Sequence, residues 1–521
     1  MSDPLTLGQL LSAQARLRPQ ALAVRDLERS LTFHQWNQRA CRLANALVGI
    51  GLERGDRVAV LAYNRLEWAE IYAATAKAGL IAVPINFRLV GSEARHVIED
   101  SGARALIVEE ELSGVIDSVR DTLSVDEDRY ILMSSGGTAV RPGYRRYEEL
   151  LAAGAPGEPR VDVGPDDTWC LMYTSGTTGA PKGAIRNHRN MAMLALMTQV
   201  ELGLHRRDEA LLVMPMCHAN SLFFFMSFIY CGGAVTIFSR SSFDPELCLR
   251  TFADTGATFT SLVPTHYTML LETPASSRRG DFTRVEKLMI SSAPAHAETK
   301  RAVMAMFPNS GLFELYGSTE AGWVTMLHPH EQFDKLGTVG RETVGSAPIR
   351  LLDGDGAEVP DGTPGELFSC GPYCFQGYWN LPEKTAEAFR GPWLSVGDVA
   401  LRDEDGFIRL IDRKNNLIIS GGENIYPSEV ETVIADHPAV RDVAVIGRSD
   451  PKWGESVLAA IVCKSGMSAS ETEIIEFTRQ RLAGYKRPRG VVFLDVEEMP
   501  RNATGKILHK NLRELLSKRF P

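Results

Sequence analysis

Between residues 32 and 291 the chain alternates short runs of strand-forming residues with segments of helical period. This alternation confines the fold to a sheet whose strands are joined by crossover helices. Residues 32–49 place Phe33, Trp36, Ala40, Leu43, Ala44 and Leu47 at helical spacing. The run 57–62 (RVAVLA) reads as a buried strand, 66–78 as a helix, 80–85 as a strand, 92–100 as a helix and 103–108 as a strand. The pattern continues with strands at 210–214, 257–263 and 287–291 and a helix at 264–271. Strands separated by helices require a parallel or mixed sheet.

The character changes after about residue 337. From 340 to 413 Gly and Pro punctuate short apolar runs (IRLLD, GELFS, FIRLID), which predicts an antiparallel β section. A smaller α+β unit follows, with strands at 417–419, 440–446, 457–462 and 491–493 and helices at 428–436 and 470–482. The expected division is an N-terminal α/β domain over 1–413 and a C-terminal α+β domain over 414–521. The 521 residues, 44% hydrophobic and 23% charged, exclude large-scale disorder and suffice for a core without covalent staples. With 56 basic and 65 acidic residues the net charge is −9, which argues against a general nucleic-acid binder. A small anionic ligand in a local basic pocket is still compatible with that balance.

The eight cysteines form no CxxC pair, and Cys370 and Cys374 in CGPYC have no second pair to complete a zinc site, so free thiols in a reducing cytoplasm are expected. The opening MSDPLTLGQLL has no basic segment or long apolar core, so no secretory signal is expected, and the final SKRFP is not a peroxisomal tripeptide. Residues 221–238 (SLFFFMSFIYCGGAVTIF) are uncharged and nearly long enough to span a bilayer, but Gly232 and Gly233 cut the run in two. It reads as a short buried helix, a turn and a buried strand, and no transmembrane segment is expected.

Residues 173–183 read YTSGTTGAPKG, directly after the strand-like WCLMY. Gly176 and Gly179 let backbone N–H groups approach a polyphosphate, Thr174, Ser175, Thr177 and Thr178 add hydroxyls, and Lys182 adds a point charge. It is not a Walker loop, since Gly183 rather than Ser or Thr follows Lys182.

This run resembles the phosphate loop of the adenylate-forming superfamily, which includes acyl-CoA synthetases, peptide-synthetase adenylation domains and beetle luciferases. Further motifs of that superfamily follow in order: ELYGSTEAG (314–322), SVGD (395–398), DRKNNLIISGGENIYPSEVE (412–431) and PRNATGK (500–506). The resemblance covers nearly the whole chain. It implies a large N-terminal adenylate-forming domain, built of mixed sheets with helices plus a β section, and a small mobile C-terminal domain.

The resemblance also implies roles. Tyr316 would stack on adenine, with Glu314, Gly317, Ser318 and Ser292 completing the nucleotide site. Thr319 would donate to the α-phosphate, and Glu320 would hold Mg2+. Asp398 and Arg413 would contact the ribose. Lys506 matches the catalytic lysine, whose charge offsets the repulsion between a carboxylate and a phosphate. Ser420, Gly421 and Gly422 would face the pantetheine of coenzyme A, against the plain reading of a tight turn. His218 would lie near the acyl group and thiol entry, against that of a core histidine. An acyl pocket is expected from His218, Ala219, Ser221, Val263, Ala293, Gly317, Gly322 and Trp323. The last suggests limited depth, and the small and apolar lining suggests alkyl acids of short to medium length or aryl acids. Lys486, Arg487 and Arg489 read equally well as contacts to CoA phosphates and as a solvated cluster. Asn415 departs from the superfamily, where Asp or Lys is common at that hinge position.

The implied reaction is activation of a carboxylic acid by Mg-ATP to acyl-AMP and pyrophosphate, then transfer to CoA with release of AMP. The substrates and cofactors implied are ATP, Mg2+, CoA and an acid. An acyl-AMP ligase loading a separate carrier protein is the nearest alternative, and luciferase-like chemistry reuses the same site. A non-catalytic ATP-binding regulator is the alternative of another class. A homodimer is compatible with all of these.

Overall fold

The computed structural model describes residues 6–134, 141–174, 181–276, 278, 280–291, 295–420, 423–479, 481–502 and 505–519. Two compact units divide the chain: Met1–Pro348 with Ser369–Leu394, and Ile349–Phe368 with Ser395–Pro521. The boundary expected at 413 therefore falls inside the second unit. The β-section strands from 350 to 413 group with the C-terminal residues, and Asp412, which receives the Ser428 amide at 3.0 Å, is one of the ties that hold them there.

The first unit holds two large sheets. One has seven strands, ordered Arg145–Arg146, Tyr130–Met133, Ala103–Glu109, Arg57–Leu61, Ile81–Ile85, Thr168–Thr174 and Lys182–Asn187. All neighbours are parallel except the last pair, an antiparallel hairpin with Thr174 opposite Lys182. The other sheet has nine strands. Its parallel centre runs Gly311–Ser318, Lys287–Ser291, Phe259–Leu262, Glu209–Leu212, Ala234–Ile237 and Leu22–Arg25, with antiparallel strands at both margins. The expected α/β class and its crossover units are thus present.

Local chemistry explains the elements. Helix Phe33–Gly49 starts at a capping box in which Thr32 and Gln35 satisfy each other's backbone N–H groups. Its Trp36 gives the indole N–H to Ala69 O at 2.9 Å, pinning it to helix Glu67–Ala78. The apolar run after Asn220 forms helix Ala219–Cys231, with Ser221 to Ile229 buried throughout. It ends at Gly232, whose φ of +76° suits glycine, and strand Ala234–Ile237 follows. The run is therefore interior. Among the described residues no helix is long and apolar enough to cross a membrane.

The second unit contains an antiparallel sheet of Arg350–Leu352, Gly365–Phe368, Asp398–Arg402 and Ile408–Arg413. Its other sheet centres on the hairpin Val440–Asp450 and Gly454–Cys463. These strands outrun the expected 440–446 and 457–462, because the ladder continues through polar residues from Gly447 to Asp450. Helix His509–Arg519 was not expected. Only Leu512 and Leu516 of that charged segment are buried.

Glu67 opens helix Glu67–Ala78 with its carboxylate buried between Arg29 (2.8 Å) and Arg65 (2.8 Å). Burial alone would raise its pKa, but hydrogen bonds from Arg65 and Arg29 outweigh that and hold it at about 2. A folded-state pKa below the unfolded value stabilises the protein above the unfolded pKa, and this stabilisation fades as pH falls toward 2. About 3 kcal/mol should therefore be lost between about pH 5 and pH 2. Urea midpoints measured across that window should fall steeply for the native chain and more shallowly for Glu67→Gln. Parallel loss in both would assign the acid sensitivity elsewhere.

Candidate active site

A parallel strand delivers its following loop to one edge of the sheet, and ligands of open α/β folds bind at that carboxyl edge. Strands Glu209–Leu212, Phe259–Leu262, Lys287–Ser291 and Gly311–Ser318 run parallel in adjoining positions. Their carboxyl ends lead respectively to the loop bearing His218, to Val263, to Ser291, and to the turn bearing Thr319 and Glu320. That turn joins Gly311–Ser318 to the antiparallel Gly322–Leu327 and is tied by Ala321 N donating to Ser318 Oγ at 2.9 Å. A Cβ on Gly317 would lie 2.2 Å from Gly322 O, so the hairpin cannot close with any other residue there.

Glu320 is the meeting point of three distant segments. Its Oε1 accepts from Thr174 Oγ1 at 3.2 Å and from Tyr378 Oη at 3.0 Å. Its carbonyl accepts from Phe375 N at 2.7 Å and from the guanidinium of Arg186 at 3.4 Å, and Arg186 also reaches Thr319 O at 3.4 Å. Lys182 lies with its ammonium 4.0 Å from the centre of the Tyr378 ring. Burial lowers the Lys182 pKa, against the pull of Glu320. The structure thus brings Thr174, Lys182, Thr319 and Glu320 together. These oxygens are hard donors centred on a single carboxylate, which fits Mg2+, a cation that completes its shell with phosphates and water. No group of three or more His, Cys, Asp or Glu capable of holding a metal occurs among the described residues.

Two residues of this cluster escaped sequence reasoning. Tyr378 carries no signal, because its role exists only in the fold. Arg186 is fully buried beside Phe223, its guanidinium 4.9 Å from the ring centre, and desolvation lowers its pKa to about 10. An arginine among the apolar residues of the strand-like KGAIRN was its only trace.

His218 occupies the N-cap position of helix Ala219–Cys231, and its buried Nε2 has no hydrogen-bond partner among the described residues. Burial, aided by Arg88, lowers its pKa to about 4. The preceding loop is braced by Asn64, which accepts from Met216 N at 2.7 Å, and by Tyr72, which donates to Met216 O at 2.8 Å. Of the other expected pocket residues, Ser221 spends its hydroxyl on Met214 O at 2.6 Å, and Val263 and Gly322 are buried, while Ala219 is half-buried. Trp323 belongs to the core: it stacks on Phe224 at 5.0 Å, meets Phe223 edge-on at 5.2 Å and gives its indole N–H to Thr198 at 2.8 Å. Tyr316 is buried on its strand and Ser318 is half-buried. Glu314 forms a buried ion pair with Lys300. Ser175, Gly176, Thr177, Thr178, Gly179, Ser292, Ala293, Gly421 and Gly422 lie outside the described residues.

In the second unit Asp398 and Arg413 stand opposite each other on neighbouring strands, with Arg413 Nε donating to Asp398 Oδ1 at 3.1 Å. Asp412 accepts from Arg413 N at 2.6 Å, Asn416 Nδ2 at 3.0 Å and Ser428 N at 3.0 Å, fixing the chain before the turn Lys414–Asn416. Lys506 sits in a tight loop closed by Asn502, which bonds the Lys506 amide at 2.9 Å. Desolvation and the charge of Arg413 push its ammonium below the usual lysine pKa, against Asp398 and Asp412. The side chain is exposed, so solvent screening trims that shift. Ser420 is buried in its sheet, paired with Glu423 and Gly454. Of the basic cluster, Lys486 pairs with Glu429 at 2.6 Å, Arg487 donates to Leu482 O at 2.9 Å and Arg489 packs on Trp453.

Comparison with known proteins gives the family of the chain. Residues 11–379 match the AMP-binding enzyme family and residues 429–506 match the AMP-binding enzyme C-terminal domain. A feruloyl-CoA synthase of Amycolatopsis sp is 36% identical, aligned over 97% of this chain and 98% of its own. A long-chain-fatty-acid–CoA ligase of Mycobacterium tuberculosis is 33% identical, over 99% of each chain. The crystal structure of an anthranilate CoA ligase in complex with anthranoyl-AMP superposes with a TM-score of 0.88 at 26% identity, covering 99% of this chain and 98% of that one. The chain belongs to the AMP-binding enzyme family. Its class is that of AMP-forming ligases that join a carboxylic acid to coenzyme A.

The Lys300–Glu314 pair yields a test of whether Glu314 serves the fold or the nucleotide. Lys300→Met strands a buried carboxylate and should cost about 3–5 kcal/mol, whereas Lys300→Met with Glu314→Leu should recover most of that loss. Denaturant midpoints measure both. A double variant no more stable than the single one would deny the pair its structural role.

Proposed function

We propose that adenylation is carried out by the cluster around Glu320 together with Lys506. The observation that supports this reading is the convergence of Thr174, Lys182, Thr319 and Glu320 in the first unit, where an antiparallel hairpin meets the carboxyl edge of a parallel sheet. ATP places its phosphates between Lys182 and the Thr319 hydroxyl. Glu320, with Thr174 beside it, would hold Mg2+, which supplies positive charge to the phosphates when bound. Asp398 accepts hydrogen bonds from the ribose diol while Arg413 keeps its carboxylate oriented, and Tyr316 presents its ring to the adenine.

An oxygen of the substrate carboxylate attacks the α-phosphorus, and the bond to pyrophosphate breaks. Two anions must approach, and Lys506 offsets their repulsion. The thiol of coenzyme A then attacks the acyl carbon, the bond to AMP breaks, and AMP leaves. Lys506 serves only the first half of this sequence, and the segment with Ser420, Gly421 and Gly422 serves the second. The His218 imidazole is neutral at pH 7, and its Nε2, without a partner among the described residues, is the atom to meet a polar atom of the acyl group or the incoming thiol. Eight free cysteines suit a reducing cytoplasm.

Incubation with ATP, Mg2+, coenzyme A and a pooled panel of carboxylic acids, read by mass spectrometry, should give an acyl-CoA and AMP. Acyl-AMP without thioester would transfer the reading to a carrier-loading ligase. Lys506→Ala should slow adenylate formation by about a hundredfold or more and still convert supplied acyl-AMP to thioester. Equal loss in both halves would sink the division of labour.

A further inference from the structure

We propose that helix Gly91–Ser101 sets the phosphate-binding hairpin in place, with His96 as the positioning residue for Lys182, so that affinity for the phosphates of ATP beyond the first depends on a residue outside the Glu320 cluster. This rests on the reading above, in which Thr319 takes the α-phosphate and Lys182 the phosphates that follow it.

His96 Nε2 lies 3.0 Å from Pro181 O. A carbonyl only accepts, so Nε2 carries the proton and donates. Pro181 immediately precedes Lys182 and lies outside the hairpin ladder, which begins at the Thr174–Lys182 pair. Its carbonyl gains no order from that ladder. The bond from His96 fixes the backbone at the point where the chain enters the strand with Lys182.

The same helix holds the other side of the hairpin. Asp100 Oδ2 accepts from Tyr173 Oη at 2.6 Å. Tyr173 stands opposite Gly183, the residue after Lys182. A Cβ on Gly183 would lie 3.1 Å from the Tyr173 ring, so the ring rests against that backbone. His96 and Asp100 are four residues apart and share one side of the helix. Between them they grip Pro181 and, through Tyr173, Gly183, which are the two neighbours of Lys182. The helix has little freedom of its own. Ala94, Val97, Ile98 and Ser101 are buried, and Glu93 accepts from Val90 N at 3.1 Å to close the first turn. A rigid element thus fixes the root of the lysine, while the Tyr378 ring receives its ammonium. A cation held this way before the ligand arrives binds more tightly than one that the ligand must order, because the ordering cost was met on folding.

Calorimetric titration of the full chain with Mg-ATP and with AMP gives the ratio of the two affinities. AMP has only the α-phosphate, so it reports whether the rest of the site is intact. His96→Met should weaken Mg-ATP binding about fivefold or more and leave AMP within about twofold. His96→Gln, whose amide N–H replaces the imidazole donor, should restore the native ratio. If His96→Met does not fold, Tyr173→Phe, which keeps the ring over Gly183 and removes only the hydroxyl, should move the ratio in the same direction. Lys182→Ala should move it furthest. Equal losses of Mg-ATP and AMP, no recovery in His96→Gln, or a ratio that shifts in Lys182→Ala but not in the folded helix or hairpin variant overturns the proposal. A ratio unmoved by Lys182→Ala would instead overturn the reading beneath it.

Discussion

Parallel strands send every loop to the same edge, and that constraint places the chemistry of the first unit. Four consecutive neighbours in the nine-stranded sheet bring His218, Val263, Ser291 and the Thr319–Glu320 turn to one border without any of them being close in sequence. The hairpin carrying Thr174 and Lys182 belongs to a different sheet. Glu320 joins the two, because its carboxylate takes one hydroxyl from that hairpin and one from Tyr378. A carboxylate this buried holds its position only with its lone pairs occupied, so the same bonds that hold the loop also aim it.

Arg186 belongs to the same logic. A fully buried guanidinium is costly, and here it has backbone carbonyls rather than a carboxylate as its recorded acceptors. Its Nε and one terminal nitrogen lack partners among the described residues. The carbonyls it meets are those of Thr319 and Glu320, so its charge is directed at the backbone of the turn on which adenylation is proposed to depend. Packing against Phe223 supplies part of the compensation that solvent would otherwise give.

What was legible in the sequence follows from where each signal resides. Helix Ala219–Cys231 and its strand were readable because Gly232 and Gly233 punctuate an apolar run. Helix Phe33–Gly49 was readable from its apolar spacing to within a residue. Helix His509–Arg519 was not, since two buried leucines among charges leave almost no periodic signal. The turn at 318–322 was found through resemblance and then explained by the closeness of Gly317 to Gly322 O. Tyr378, Arg186 and Asn64 were invisible because the partners they meet lie 58, 134 and 152 residues away. Glu314, grouped with the nucleotide site by its motif, pairs with Lys300, a partner that no motif records.

Trp323 carries a consequence for how such an enzyme can change. Its ring is held between Phe223, Phe224 and Thr198, so it belongs to the core of the first unit as much as to any pocket beside it. Shortening it to admit a longer acid would remove a packed aromatic, at a cost of about 3–5 kcal/mol. That is a large part of the stability a folded domain has to lose. Lineages of this chain can therefore explore new substrates cheaply through half-buried residues such as Ala219, whereas depth is accessible only to those that first acquire stability elsewhere.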